Sequence, residues 1–81
     1  MAEDKEDRKA RVLIAISLFT KNYGYPPSYR DLAHMLGIAH SAVFYVVESL
    51  RTDGLIHDRA SKTSRSIVLT DRGRAAVASD H

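Results

Sequence analysis

The sequence predicts a mainly α-helical domain that carries a small β-hairpin. Apolar residues recur at helical spacing in successive segments, and glycines stand where those segments end. After Gly54 the pattern changes to two short apolar runs that are typical of strands. With 81 residues, 44% apolar and 27% charged, the chain has the size and composition of one globular domain. Each helix of so small a domain must bury an apolar face.

The first helix is predicted over residues 4–22. Its expected core face is formed by residues at helical spacing, namely Val12, Leu13, Ile16, Phe19 and Tyr23. Gly24 follows, in the position where a helix commonly turns left-handed. The next four residues, "YPPS", contain two prolines, which cannot continue a helix or join the middle of a sheet. They predict an extended connector or a very short edge strand.

The second helix is predicted over residues 28–36, with Gly37 as its end. Ser28 followed three residues later by Asp31 indicates a capping box in which Asp replaces the usual Glu. The buried stripe of this helix is expected to consist of Leu32, Ala33 and Leu36.

The third helix is predicted over residues 40–53, with a core face of Val43, Val47 and Leu50. Residues 55–69 then predict a hairpin, because "LIHDR" and "SIVL" are strand-like and "ASKTSR" separates them. A short last helix is predicted over residues 71–79, capped by Thr70 and weakened in its first turn by Gly73. This order is that of a winged helix-turn-helix, with a three-helix bundle, a β-wing and a short C-terminal helix.

The residues themselves resemble the DNA-binding domain of LexA-type repressors and the MarR family of bacterial regulators. The matching motifs are "PPS", "DLA…LGI", "V…V…L", "DGLI" and "LTDRGRAAV", spread over roughly residues 11–77. The resemblance implies binding to double-stranded DNA by a small bacterial or phage repressor, with the third helix in the major groove and the wing on the backbone. LexA-type repressors carry a self-cleaving protease domain after the wing, and since this sequence ends at His81 no autoproteolysis is expected. The chain departs from the pattern in having Phe44 and Tyr45 on the third helix, which has no Lys or Arg before Arg51.

Helical geometry predicts which third-helix residues face DNA. If the valines and Leu50 point inward, the residues that point outward are His40, Ser41, Tyr45 and Glu48. Of these, His40, Ser41 and Tyr45 can hydrogen-bond bases or phosphates. Ala42 and Phe44 flank this face, and either can pack against a thymine methyl group. The alternative is that Phe44 and Tyr45 cover core or bind a partner protein, because aromatic side chains are more often packed than exposed.

Further candidate DNA contacts are expected to meet phosphates. At the start of the second helix they are Ser28, Tyr29 and Arg30, where related regulators approach the backbone. At the wing tip they are Lys62, Thr63, Ser64 and Arg65. Arg51 is a further candidate, although a cation near a helix end also has a purely structural explanation.

A homodimer is predicted, because one small module buries little area on DNA. Ile14 and Leu18 lie one turn apart on a second face of the first helix, and Val77 on the last helix can join them. The alternative is that Ala76 and Val77 dock on that face within one chain.

Other classes of function are not expected. The chain has no cysteine, its histidines lack metal-ligand spacing, and no glycine-rich phosphate loop is present. We therefore expect no metal, no cofactor and no enzymatic activity. The apolar run Val12–Ile16 is too short to span a membrane, and the N-terminus lacks a secretory signal, which favours a cytoplasmic protein.

Three functions remain open from the sequence. The first is a sequence-specific transcriptional repressor, supported by Arg30 and the basic stretch that contains Arg59, Lys62 and Arg65. The second is a winged-helix module that binds protein through Phe44 and Tyr45, favoured by a net charge of only +2. The third is a DNA-binding part of a replication or recombination complex.

Overall fold

A computed structural model of the chain describes residues 5–58 and 67–79. The elements are α1 (Lys5–Tyr23), α2 (Tyr29–Leu36), α3 (His40–Thr52), β1 (Ile56–Asp58), β2 (Ile67–Leu69) and α4 (Asp71–Ser79). The two strands pair antiparallel, with Ile56 opposite Leu69 and Asp58 opposite Ile67. This architecture confirms the predicted fold class, a mainly α-helical domain with a small β-hairpin.

The core is built around α1, which contacts α2, α3, α4 and β2. The apolar stripes of these elements meet in one cluster, whose fully buried members include Val12, Ile16, Leu32, Val43, Val47, Leu50 and Ile67. Two residues outside the predicted stripes, Ala15 and Val46, are also buried. One predicted core residue is wrong, because Tyr23 is 60% exposed. It lies in the last turn of α1, beyond the core, and stacks on Phe19 with ring centroids 4.5 Å apart.

The start of α2 is fixed by hydrogen bonds between Ser28 and Asp31. The Asp31 amide donates to Ser28 Oγ over 3.1 Å, and the Ser28 amide donates to Asp31 Oδ2 over 3.0 Å. This confirms the predicted capping box, in which each side chain satisfies an amide that the helix cannot. The residues before it form a connector rather than a strand, with Pro27 fully buried.

A three-residue turn, residues 37–39, separates α2 from α3. Gly37 has a φ of 65°, a left-handed conformation that glycine adopts without steric cost. The Ile38 amide donates to the Ala33 carbonyl over 3.2 Å and closes the end of α2. The two helices are bent by 110° relative to each other, within the range of a helix-turn-helix.

None of the described helices is by itself long and apolar enough to cross a membrane. The pair α2 and α3 reaches the required length and apolarity only together, across the 110° bend. Leu32, Val43 and Val47, which contribute to that apolarity, are buried in the domain core.

Thr70 joins the hairpin to α4. Its Oγ1 accepts from the Gly73 amide over 3.0 Å, which confirms the predicted cap, and donates to the Gly54 carbonyl over 2.8 Å. Its amide donates to the Leu55 carbonyl over 3.1 Å. Gly73 lies so close that an added Cβ would be 2.0 Å from Leu55 O. A glycine here therefore permits close packing of α4 on the base of the wing, besides lowering helix propensity.

Candidate nucleic-acid interface

The outward face of α3 is the surface that the sequence predicts to read DNA. The helix buries its apolar side, consisting of Val43, Val46, Val47 and Leu50. On the opposite side His40 and Ser41 are exposed, Phe44 is 49% exposed and Tyr45 is 73% exposed. Ala42 is half-buried at the edge of this face. Helical geometry thus places these side chains on the outward face of α3, as the sequence predicts, and their contact with DNA stays a prediction.

Four aromatic rings form one group at the start of α2 and α3, here called the aromatic cluster: Tyr29, His40, Phe44 and Tyr45. The Phe44 ring lies between Tyr29 and Tyr45, with centroid separations of 6.1 Å and 6.2 Å. Tyr29 also meets His40 edge-on at 6.2 Å. Such edge and tilted contacts are favourable, so they stabilise these ring orientations. Phe44 therefore packs against neighbours on one side and keeps about half of its surface open to solvent.

The start of α2 presents one cation. Arg30 is exposed in the first turn, where free backbone N–H groups favour an anion. Ser28 is only 7% exposed and its hydroxyl accepts from the Asp31 amide, so the structure gives it a capping role in the helix. Tyr29 is half-buried in the aromatic cluster. Of the three residues predicted here, Arg30 has the side chain best placed to reach a phosphate.

Glu48 lies on the outward face of α3, and the predicted contact set omitted it. It is half-buried and forms an ion pair with Arg51 one turn along the helix. The i,i+3 spacing of opposite charges is visible in the sequence and was the signal for this pair. A glutamate in a major groove can accept a hydrogen bond from a cytosine amino group. Arg51 is exposed and its charge is offset by Glu48, and its contact with DNA stays a prediction.

The predicted wing-tip contacts lie outside the described residues, namely Lys62, Thr63, Ser64 and Arg65. The strands that flank this loop are described: Ile56 pairs with Leu69 at the base of the wing, and Ile67 lies next to the loop. The side chains of Ile56, Leu69 and Ile67 are all buried, so the wing strands are anchored in the domain core. The role of the tip stays a prediction.

The predicted dimer face is divided between two environments. Ile14 and Val77 line one cavity of about 180 Å³, whose walls come from α1, α4 and the residues around the end of α3. Val77 also packs against the core cluster. Leu18, in contrast, is 49% exposed. Docking of α4 on α1 within one chain therefore accounts for the position of Val77 and for the partial burial of Ile14. Of the three predicted interface residues, Leu18 is the one whose side chain is exposed to solvent.

Among the described residues, no group of three or more His, Asp or Glu side chains is arranged to hold a metal ion. The candidate nucleic-acid interface consists of the outward face of α3, the start of α2 and, by prediction, the wing.

Comparison with known proteins identifies similar domains. The family model for the LexA DNA binding domain matches residues 3–66. The chain is 35% identical over 72 residues to the LexA repressor of Clostridium botulinum strain Hall, covering 88% of this chain and 35% of that protein. It is 41% identical over 61 residues to the LexA repressor of Roseiflexus sp. strain RS-1, covering 74% of this chain and 28% of that protein. The chain thus spans about a third of the length of the curated relatives it matches.

Proposed function

Because the chain belongs to the LexA DNA-binding domain family, we propose that it binds double-stranded DNA sequence-specifically and acts as a small transcriptional repressor that occupies a promoter. In this proposal α3 enters the major groove, and the start of α2 and the wing meet the phosphate backbone. The chain binds as a homodimer on two half-sites, which adds the contact area that one small module lacks.

The observation that carries this proposal is the geometry of α2 and α3. The two helices are bent by 110° across a three-residue turn, and α3 leaves one whole face outside the core. A helix has to protrude in this way to fit a groove about 12 Å wide. The polar side chains on this face, His40, Ser41 and Tyr45, supply donors and acceptors for base edges.

Phosphate contacts are assigned to Arg30 and to the wing cations Lys62 and Arg65. Arg30 is exposed at the positive end of the α2 dipole, and its charge adds to the part of that field that the Asp31 carboxylate of the capping box leaves. Such contacts position the protein, whereas α3 supplies the sequence preference.

The first experiment is selection of bound duplexes from a random DNA pool, followed by titration of the selected duplex and a scrambled one over a range of salt concentrations. Binding should fall steeply as salt rises, because phosphate contacts release counterions. Ser41→Ala or Tyr45→Ala should cost about 1–3 kcal/mol on the selected duplex and much less on the scrambled one.

The matched control is Tyr23→Ala, which removes another exposed tyrosine, 60% exposed on α1, outside the proposed interface. It should leave both affinities unchanged. Failure to enrich any sequence, together with salt-insensitive or absent binding, would contradict the proposal.

The exposed aromatic cluster favours a second candidate, a module that binds another protein through Phe44 and Tyr45. Aromatic side chains are enriched at protein interfaces. Such a module would bind its partner with little salt dependence and would select no DNA, so the same titrations separate the two candidates.

A further inference from the structure

The third helix lacks the side chains that most often identify bases. Arg or Lys on guanine and Asn or Gln on adenine are the common bidentate readers in the major groove. Residues 40–52 contain no Lys, Asn or Gln, and their single arginine, Arg51, is held by Glu48. Specific recognition by α3 must therefore depend on other contacts.

The chain instead presents apolar aromatic surface at that position. Phe44 and Tyr45 are 49% and 73% exposed, although both rings contact neighbours in the aromatic cluster. Phe44 is supported from behind by Tyr29, which is half-buried between the two helices. Contacts of this kind restrict the rotamers of the Phe44 ring, so less side-chain entropy is lost when a ligand packs on its open side.

In the major groove only one natural base offers an apolar group, the C5-methyl group of thymine. We propose that the aromatic cluster reads thymine methyl groups and that Phe44 is the residue that contacts them. This inference rests on the proposed DNA-binding function and adds the chemical feature that the protein recognises. Burying one methyl group between ring and groove corresponds to about a fourfold gain in affinity.

The test uses a duplex selected by the protein and a series of copies in which one thymine at a time is replaced by uracil. This replacement removes the methyl group and keeps the hydrogen-bonding edge of the base. At one or more positions the substitution should weaken binding about fourfold, as measured by fluorescence anisotropy.

Variants assign the effect to Phe44. In Phe44→Ala the affinity for the thymine duplex should fall, and uracil at the sensitive position should cause no further loss. Phe44→Leu keeps an apolar side chain and should retain part of the methyl effect, which guards against a fold defect in the alanine variant. Met35→Ala, which removes a comparably exposed apolar side chain on α2, should keep the full effect.

The outcomes separate this inference from the proposed function. Salt-dependent binding to a selected duplex with no uracil effect at any position would overturn methyl reading and leave the DNA-binding proposal standing. A full uracil effect in Phe44→Ala would overturn the assignment to Phe44. Absence of DNA binding by the unaltered protein would overturn both.

Discussion

Replacing Gly73 by alanine tests the packing of α4 on the base of the wing. Helix propensity alone predicts that Gly73→Ala stabilises the protein by about 1 kcal/mol. The structure gives the opposite sign, since the new Cβ would lie 2.0 Å from Leu55 O and 3.3 Å from Leu69 Cδ2. Relief requires backbone movement of more than about 1 Å, since carbon and oxygen make contact well above 3 Å. The same Leu55 carbonyl accepts from the Thr70 amide, so that hydrogen bond is strained as well.

The expected net effect is a loss of about 1–3 kcal/mol in the free energy of unfolding. Overpacking costs about 1–3 kcal/mol and the weakened hydrogen bond about 1 kcal/mol. The higher helix propensity of alanine offsets about 1 kcal/mol of this loss. Urea titration monitored by circular dichroism measures this change in the free energy of unfolding. The control is Ala75→Gly at an exposed position of α4, which reports propensity alone and should cost about 1 kcal/mol. A Gly73→Ala protein as stable as the parent, or more stable, would refute the close approach of α4 to Leu55.

Three further perturbations test other parts of the molecule. Ser28→Ala removes the α2 cap and should lower the free energy of unfolding by about 1 kcal/mol in urea titrations; no change would mean that the capping box contributes nothing. Reversing the charge at Lys62 and Arg65 should weaken binding to all DNA sequences about equally. It should also reduce the slope of log affinity against log salt concentration by about 1 per cation. Unchanged affinity would remove the wing from the proposal. The Leu18→Glu variant should stay folded but sediment as a monomer and bind paired half-sites weakly. The control Thr20→Glu, at another exposed position of α1, should remain a dimer and keep its affinity. A parent protein that is monomeric with and without DNA would refute the dimer.

The fold was predictable because its signals are local. Ser28 with Asp31 marks a helix start, Gly37 marks its end, and the change of period after Gly54 marks the hairpin. The spacing of apolar residues also identified the core face of α3, and the outward face is the opposite side of the helix. Each of these inferences depends on residues within a few positions of one another.

The features that sequence reasoning missed depend on contacts between distant segments. Tyr23 has the correct spacing for the core face, but α1 extends past the elements that would cover it, so the ring is exposed. The sequence shows Gly73 only as a residue of low helix propensity, because its packing role depends on the Leu55 carbonyl, which is distant in the chain. The aromatic cluster likewise joins Tyr29 of α2 to Phe44 of α3, and no spacing rule relates those two positions.

The position of α3 is determined from both of its ends, which matters for any function of its outward face. At its start, α3 is held by the turn of residues 37–39 and by the contact between the rings of Tyr29 and Phe44. At its end Lys9 Nζ lies 2.6 Å from Asp53 Oδ2, and Arg72 donates to the Asp53 carbonyl over 3.4 Å. Helices α1 and α4 therefore meet at the point where α3 passes into the wing. Each of these contacts is modest alone, and they add to the buried side chains of α3 in holding the helix. We therefore expect changes at this junction to alter DNA affinity without touching the outward face.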